Sequence, residues 1–258
     1  MVLSMERWIG KVAVVTGASS GIGAAISENL VEEGLIVVGL ARRSDKIDET
    51  ARKLKDKKGR LYSYKADFSK EEDILRAFQW IKEKYGPVSI LVNNASILYR
   101  KPLMEGSTRE WKTTFDVNVI GYAIATRESI KMMRGNNIDG HIININSLLG
   151  HRILPFSGIY APSKFAVLGL SETLRLELNS LKSKIKVTCI SPGLVDTLML
   201  DDQQRTPDCS KLSAKDIAEA VVYALSTAPH LQVISIIYKN TCLPNKQFSG
   251  SRHKDGGI

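Results

Sequence analysis

A chain of 258 residues with 43% hydrophobic and 24% charged residues has ordinary globular composition and can bury a full core. No apolar run reaches the roughly 18 residues that cross a bilayer, and the opening MVLSMERWIGK lacks the features of a secretory leader. The widely spaced Cys189, Cys209 and Cys242 form no CxxC or Cys/His set, so a reducing, cytoplasmic setting is expected, without disulfides or zinc.

The net charge of +9 is scattered along amphipathic stretches. It reads as solvated helix faces and attraction for an anionic cofactor, with no nucleic-acid partner expected. Short β-branched runs predict strands at 12–16, 35–41, 61–65, 90–93, 141–146, 186–190 and 232–237. Several are almost continuously apolar, as strands buried on both faces of a parallel sheet must be. Longer helical patterns lie between them. Ser69 with Glu72, Ser107 with Glu110, and Ser213 with Asp216 have capping-box spacing, and Gly34 and Gly59 mark helix ends. This alternation predicts an α/β fold: a single doubly wound, Rossmann-type domain over 1–240, its seven-stranded parallel sheet flanked by helices on both faces. Residues 241–258 lose the pattern and read as a flexible tail.

The first strand runs into Thr16-Gly17-Ala18-Ser19-Ser20-Gly21-Ile22-Gly23, and a helix follows at once. Glycines permit a tight turn and close approach to phosphate, and the helix start offers N–H groups. The spacing is G-x-x-x-G-x-G, not the commoner G-x-G-x-x-G. A carboxylate selecting for the ribose hydroxyl of NAD would stand at the end of the second strand. Ala41 stands there instead, followed by Arg42 and Arg43, which suit a 2′-phosphate. NADP(H) is therefore expected, with Arg42 the nearer clamp.

Further along, Asn118 interrupts an apolar helical pattern, where a buried amide needs partners. Ser147 follows the predicted fifth strand. Tyr160 and Lys164 lie one helical turn apart, in Tyr160-Ala161-Pro162-Ser163-Lys164. A phenol that titrates near 10 is a poor base at neutral pH, and a nearby ammonium is expected to lower it. His141 and His151 read as polar edge residues, and no metal site is expected.

Taken in order, the glycine loop, Asn93-Asn94-Ala95, Asn118, Ser147, Tyr160 with Lys164, and Pro192-Gly193 resemble the classical short-chain dehydrogenase/reductase family across about residues 7 to 237. The stretches Gly140-His141-Ile142-Ile143-Asn144-Ile145-Asn146-Ser147 and His151-Arg152-Ile153-Leu154-Pro155 are similar to the branch with dehydrogenase/reductase member 11 and the insect farnesol dehydrogenases. That resemblance implies NADP(H) and a small lipophilic alcohol or carbonyl, such as a terpenoid alcohol or steroid. It implies Tyr160 as proton donor and acceptor, and Ser147 as the group that holds the substrate oxygen. Lys164 binds the nicotinamide ribose, and Asn118 positions a relay water. For the cofactor it implies Gly17, Ser19, Ser20, Gly21, Ile22 and Gly23 at the phosphates, and Arg42 and Arg43 at the 2′-phosphate. Asp67 and Phe68 border adenine, Asn94 and Ala95 support the ribose side, and Pro192, Gly193, Val195 and Thr197 line the nicotinamide end.

Two departures stand out. Ser96 replaces the family's glycine and is expected to crowd the cofactor slightly. The lid segment, residues 198–211, is short, which implies an open site. The helix from Thr108 and the one from Tyr160 carry more apolar positions than one sheet face needs, and the resemblance implies that they pair across subunits in a homodimer or homotetramer. A non-catalytic NADP(H)-binding scaffold is the alternative, but such a scaffold is expected to lose a member of the Asn/Ser/Tyr/Lys set.

Overall fold

The computed structural model describes residues 3–199 and 211–241. Strands β1 (Val12–Thr16), β4 (Val88–Asn93), β5 (His141–Ile145) and β6 (Lys186–Pro192) are buried at every position. Their β-branched side chains tile both faces of a pleated surface. With β2 (Ile36–Ala41), β3 (Arg60–Lys65) and β7 (Ser235–Tyr238) they form one seven-stranded parallel sheet, in the order β3-β2-β1-β4-β5-β6-β7.

Alternate residues of each strand serve opposite layers. Ala13, Val15, Val37 and Val92 pack toward α1 (Gly21–Glu32), α2 (Ser44–Lys53) and α7 (Ala214–Ser226). Val12, Val14, Val38 and Leu91 pack toward α3 (Glu71–Tyr85), α5 (Gly121–Gly135) and the far end of α6 (Tyr160–Ser180). β1 is hydrogen-bonded to both β2 and β4, and the chain leaves on one side and returns on the other. The crevice at the carboxyl ends of these strands is where open α/β sheets hold ligands. Among the described residues, no helix is long and apolar enough to cross a membrane.

Several local expectations change. The Ser107 and Ser213 capping boxes form, with Glu110 and Asp216 respectively, at α4 (Thr108–Phe115) and α7. The Ser69 box does not, because the Ser69 N–H and hydroxyl both donate to Asp67 Oδ1, at 3.0 and 2.8 Å. α3 therefore starts at Glu71. Gly34, at φ +92°, ends α1, whereas Gly59 follows α2 at a distance and lets the backbone pass close to Leu35. The last strand starts at Ser235 and not at 232, since the Gln232 and Thr188 side chains take up carbonyls that a ladder would use. His141 is not an edge residue: β5 lies between β4 and β6, and the ring is fully buried. Residues 242–258, including Cys242, and the lid residues 200–210, including Cys209, lie outside the described residues.

Candidate active site

β1 delivers Thr16 to the glycine turn, whose backbone demands glycine at two places. Gly17 and Gly21 have φ of +67° and +56°, the left-handed region that strains other residues. A Cβ on Gly17 would also lie 2.8 Å from Ala95 Cα. α1 begins at Gly21 with Ser20 as its N-cap, no side-chain cap and no acidic residue in the first turn. Among the described residues no side chain accepts from the leading N–H groups, including those of Ile22 and Gly23, and the dipole favours an anion.

Asn94 holds this turn from the adjacent strand end. Its Nδ2 donates to the Thr16 and Gly17 carbonyls at 2.8 and 3.3 Å. The Asn94 and Ala95 backbone N–H groups both donate to Thr16 Oγ1 at 2.9 Å. The Asn94 side chain therefore braces the glycine turn. Thr16, the first residue of the glycine-loop stretch, is the post around which the crevice is built.

At the end of β2, Arg43 reaches back to the loop, with Nη2 3.5 Å from Ser19 Oγ and 3.2 Å from Ser20 Oγ. Arg42 acts electrostatically on Asp67. Burial pushes the Asp67 carboxyl up, but two hydrogen bonds from Ser69, with Arg42 and Lys70 nearby, hold it below its ordinary value. The Phe68 ring is buried in the core. These donors without a carboxylate at Ala41, the glycine cradle and the uncapped helix start together fit a phosphate-bearing dinucleotide.

Tyr160 opens α6 and is 8% exposed; Lys164, one turn on, is 1% exposed. Lys164 Nζ donates to the Ile145 carbonyl at 3.1 Å and lies 5.6 Å from the Tyr160 ring centre. Burial brings Lys164 down to about 8, opposed by Cys189. Burial also pushes Tyr160 up to about 12, opposed by hydrogen bonds with Ser96 and Ser147 and by the charge of Arg100. The expected depression of Tyr160 by Lys164 is thus absent in this arrangement. The ammonium is turned to a backbone carbonyl, and loss of water around the phenol outweighs its partners.

Ser147 caps a short turn, its Oγ accepting from the Leu149 N–H at 3.1 Å, and lies beside the phenol. Asn118 is not in a regular helix. It sits in a π-helical turn, Asp116–Ile120, between α4 and α5. There its Oδ1 accepts from the Ile97 N–H at 2.9 Å, and its Nδ2 donates to the Ile97 carbonyl at 3.0 Å and Ser163 Oγ at 3.1 Å. The widened turn aims a buried amide across at the loop after β4, which a regular helix would not do.

Pro192 ends β6, and the loop after it carries Gly193, Val195 and Thr197 toward the glycine turn. Val195 is buried and bridges to Leu212, and Thr197 Cγ2 lies 3.1 Å from the place a Gly21 Cβ would occupy. Asn240 fixes this loop through paired bonds with the Leu194 backbone, at 2.8 and 2.9 Å. Its position beyond the last strand gave no sequence signal. The same is true of Tyr122, whose hydroxyl donates to the Ile145 carbonyl at 3.3 Å, beside the Lys164 ammonium. Among the described residues, no three His, Cys, Asp or Glu side chains gather to hold a metal ion.

The geometry agrees with comparisons to known proteins. The family model described as short chain dehydrogenase matches residues 11–208. Farnesol dehydrogenase of Aedes aegypti is 44% identical over 239 residues, covering 91% of this chain and 98% of the relative. Dehydrogenase/reductase SDR family member 11 of Gallus gallus is 45% identical over 251 residues, covering 92% and 98%. Among solved structures, an alcohol dehydrogenase from Thermococcus sibiricus complexed with 5-hydroxy-NADP superposes with a TM-score of 0.81 at 26% identity, covering 92% of this chain and 99% of that one. A short chain dehydrogenase from Burkholderia cenocepacia in complex with NADP also gives 0.81 at 26% identity, covering 90% and 97%. The chain belongs to the short-chain dehydrogenase family of oxidoreductases.

Proposed function

We propose that this protein is an NADP(H)-dependent oxidoreductase that interconverts an alcohol and a carbonyl on a small lipophilic substrate, with Tyr160 as the acid/base. The observation that carries this reading is the convergence of Ser147, Tyr160 and Lys164 beside the glycine crevice. The Asn118 amide ties the first turn of α6 to the loop after β4. Preference for NADP(H) is supported by Ala41 in place of a carboxylate, by Arg42 and Arg43, and by the NADP named in the structures of its relatives.

The lipophilic substrate is supported by the rim of the crevice. Tyr99, Ile153, Leu154, Phe156, Leu198 and Met199 are all exposed. The loop after β4 meets the lid side through a hydrogen bond from Arg100 to the Met199 carbonyl. It meets the 153–158 loop where Gly158 passes close to Lys101. Three loops thus bring apolar side chains to one mouth, and an apolar ligand gains by covering them.

A dinucleotide held by the glycine turn and the arginines after Ala41 would supply the hydride for reduction and accept it in oxidation. In reduction the Ser147 hydroxyl donates to the substrate oxygen, and Tyr160 gives its proton as charge develops there. In oxidation Tyr160 takes the alcohol proton. Lys164, its ammonium anchored on the Ile145 carbonyl, would hold the ribose side.

The test is a screen of terpenoid alcohols, steroid ketones, retinoids and simple dicarbonyls, followed by NADPH absorbance, with NADH in parallel. Turnover of at least one apolar alcohol/carbonyl pair with NADP(H) is expected. NADPH binding without turnover in any class would assign the chain to a scaffold role instead.

A further inference from the structure

The carboxyl ends of the strands hold the cofactor crevice, and a second concavity lies at their opposite ends. Gly140, just before β5, and Lys186, the first residue of β6, line a cavity of about 340 Å³ together with Arg7 and Trp8 of the short turn Glu6–Trp8. Trp8 is 4% exposed and Lys186 is 9% exposed, so an indole and an ammonium stem are its inner members. Arg7 is half-buried, and the exposed Lys184, His230 and Asp139 stand at the rim.

The two inner cations have no counter-ion. Lys186 Nζ donates to the Ala228 and Leu231 carbonyls at 2.9 and 2.6 Å, which leaves the third of its N–H groups unspent. Arg7 Nη2 donates to the Leu225 carbonyl at 2.8 Å, its Nε is buried without an acceptor, and its guanidinium lies 4.8 Å from the Trp8 ring centre. Among the described residues no carboxylate stands within ion-pair distance of either. Asp139 lies 3.9 Å from Lys184 Nζ instead, with both side chains largely in solvent. Burial lowers the Lys186 ammonium, and the charge of Arg7 lowers it further, as like charges in one low-dielectric corner must. Such a pair is costly until an anion joins it. We propose that this cavity binds a small aromatic oxyanion, a carboxylate or a phosphate ester, with its charge on Lys186 and Arg7 and its ring along Trp8. Ligand pockets run from about 300 to 1,000 Å³, so this volume suits a single ring and would be left mostly unfilled by a bare ion. Trp8 and Pro229 add apolar surface for that ring to cover. The proposal is independent of the reading of Tyr160 as the acid/base.

The experiment uses the full chain saturated with NADP+, so that the phosphate cradle of the glycine turn is taken. Calorimetric titration at fixed ionic strength compares phenyl phosphate, benzoate, inorganic phosphate and neutral benzamide. Phenyl phosphate, benzoate or both should bind, which tells the phosphate source from the carboxylate source. Inorganic phosphate and benzamide should bind at least about ten-fold more weakly than the aromatic anion that binds. Lys186→Met and Arg7→Gln should each weaken that anion by about ten-fold, the scale of one charge-assisted hydrogen bond, and leave NADP+ affinity unchanged. Lys184→Glu, at the exposed rim where folding is not at stake, should weaken it by about three-fold. If the inner substitutions prevent folding, the Lys184→Glu ratio decides. Failure of both aromatic anions to bind at millimolar concentration overturns the proposal. Equal affinity in wild type and the folded variants would place the anion elsewhere, and overturns it too. Benzamide matching benzoate, or inorganic phosphate matching phenyl phosphate, overturns the ligand class.

Discussion

Ala41 and the two arginines after it show what single residues can and cannot announce. The missing carboxylate was legible as a letter in the sequence, and so was the charge. Which arginine faces the cofactor loop was not, because that depends on how the chain leaves the strand. Arg42 seemed the nearer clamp by position, yet Arg43 is the one within reach of Ser19 and Ser20. Arg43→Ala should therefore weaken NADPH more than Arg42→Ala does, by about ten-fold or more, the scale of one charge-assisted bond. NADH affinity should hardly move in either variant. Titration by fluorescence quenching checks this, and a larger NADPH loss in Arg42→Ala would restore the sequence-based order. Lys164 marks the opposite limit. Its spacing from Tyr160 was visible, but the Ile145 carbonyl that captures its ammonium is set by packing between α6 and β5.

Elements were more legible than their edges. Short β-branched runs, several of them nearly continuous in apolar residues, marked β1, β4, β5 and β6, and serine-plus-acid pairs marked the starts of α4 and α7. The π-helical turn at Asp116–Ile120 was hidden, since its cause, the bonding of Asn118 to Ile97, joins residues distant in sequence. The first residue of β5 yields a prediction of its own. Thr188 Oγ1 donates to the Val233 carbonyl at 2.6 Å, so His141 Nε2, 2.8 Å from that oxygen, is the donor between them. His141 Nδ1 is then a bare acceptor with no partner among the described residues. Burial, with Lys186 and Arg7 nearby, brings His141 down to about 3. An unfolded histidine titrates near about 6.5, so between these values the unfolded chain binds the extra proton. Stability from this group is full above about pH 6.5 and drains as pH falls toward the folded value, by at most about 1.4 kcal/mol per pH unit. Denaturant melts at pH 7 and pH 5 should show a smaller acid loss for His141→Gln than for wild type. Equal losses would mean that His141 does not govern the acid limb.

The whole molecule places its chemistry by strand order. Strand and helix alternation implied a doubly wound sheet, and the sheet puts β1 and β4 side by side, so the glycine turn and Asn94 meet although far apart in the chain. The motifs named residues that the fold gathers at this crevice, whereas the braces Tyr122 and Asn240 became visible only once the chain was folded. On the surface, Phe165 and Leu176 stay exposed on one stripe of α6, with open space above Gly169 between them. A homo-oligomer that covers this stripe is our proposal for the assembly, and Phe165→Glu should shift the light-scattering mass in solution toward that of one chain. An unchanged mass would place the interface elsewhere. The central claim, that Tyr160 exchanges the proton with substrate, is tested most directly by single-turnover hydride transfer in Tyr160→Phe, with NADPH affinity measured on the same sample. The account predicts near wild-type NADPH binding and a rate lower by about 10²–10⁴-fold, the contribution of one acid/base group. Intact binding with more than a tenth of the wild-type rate would contradict it.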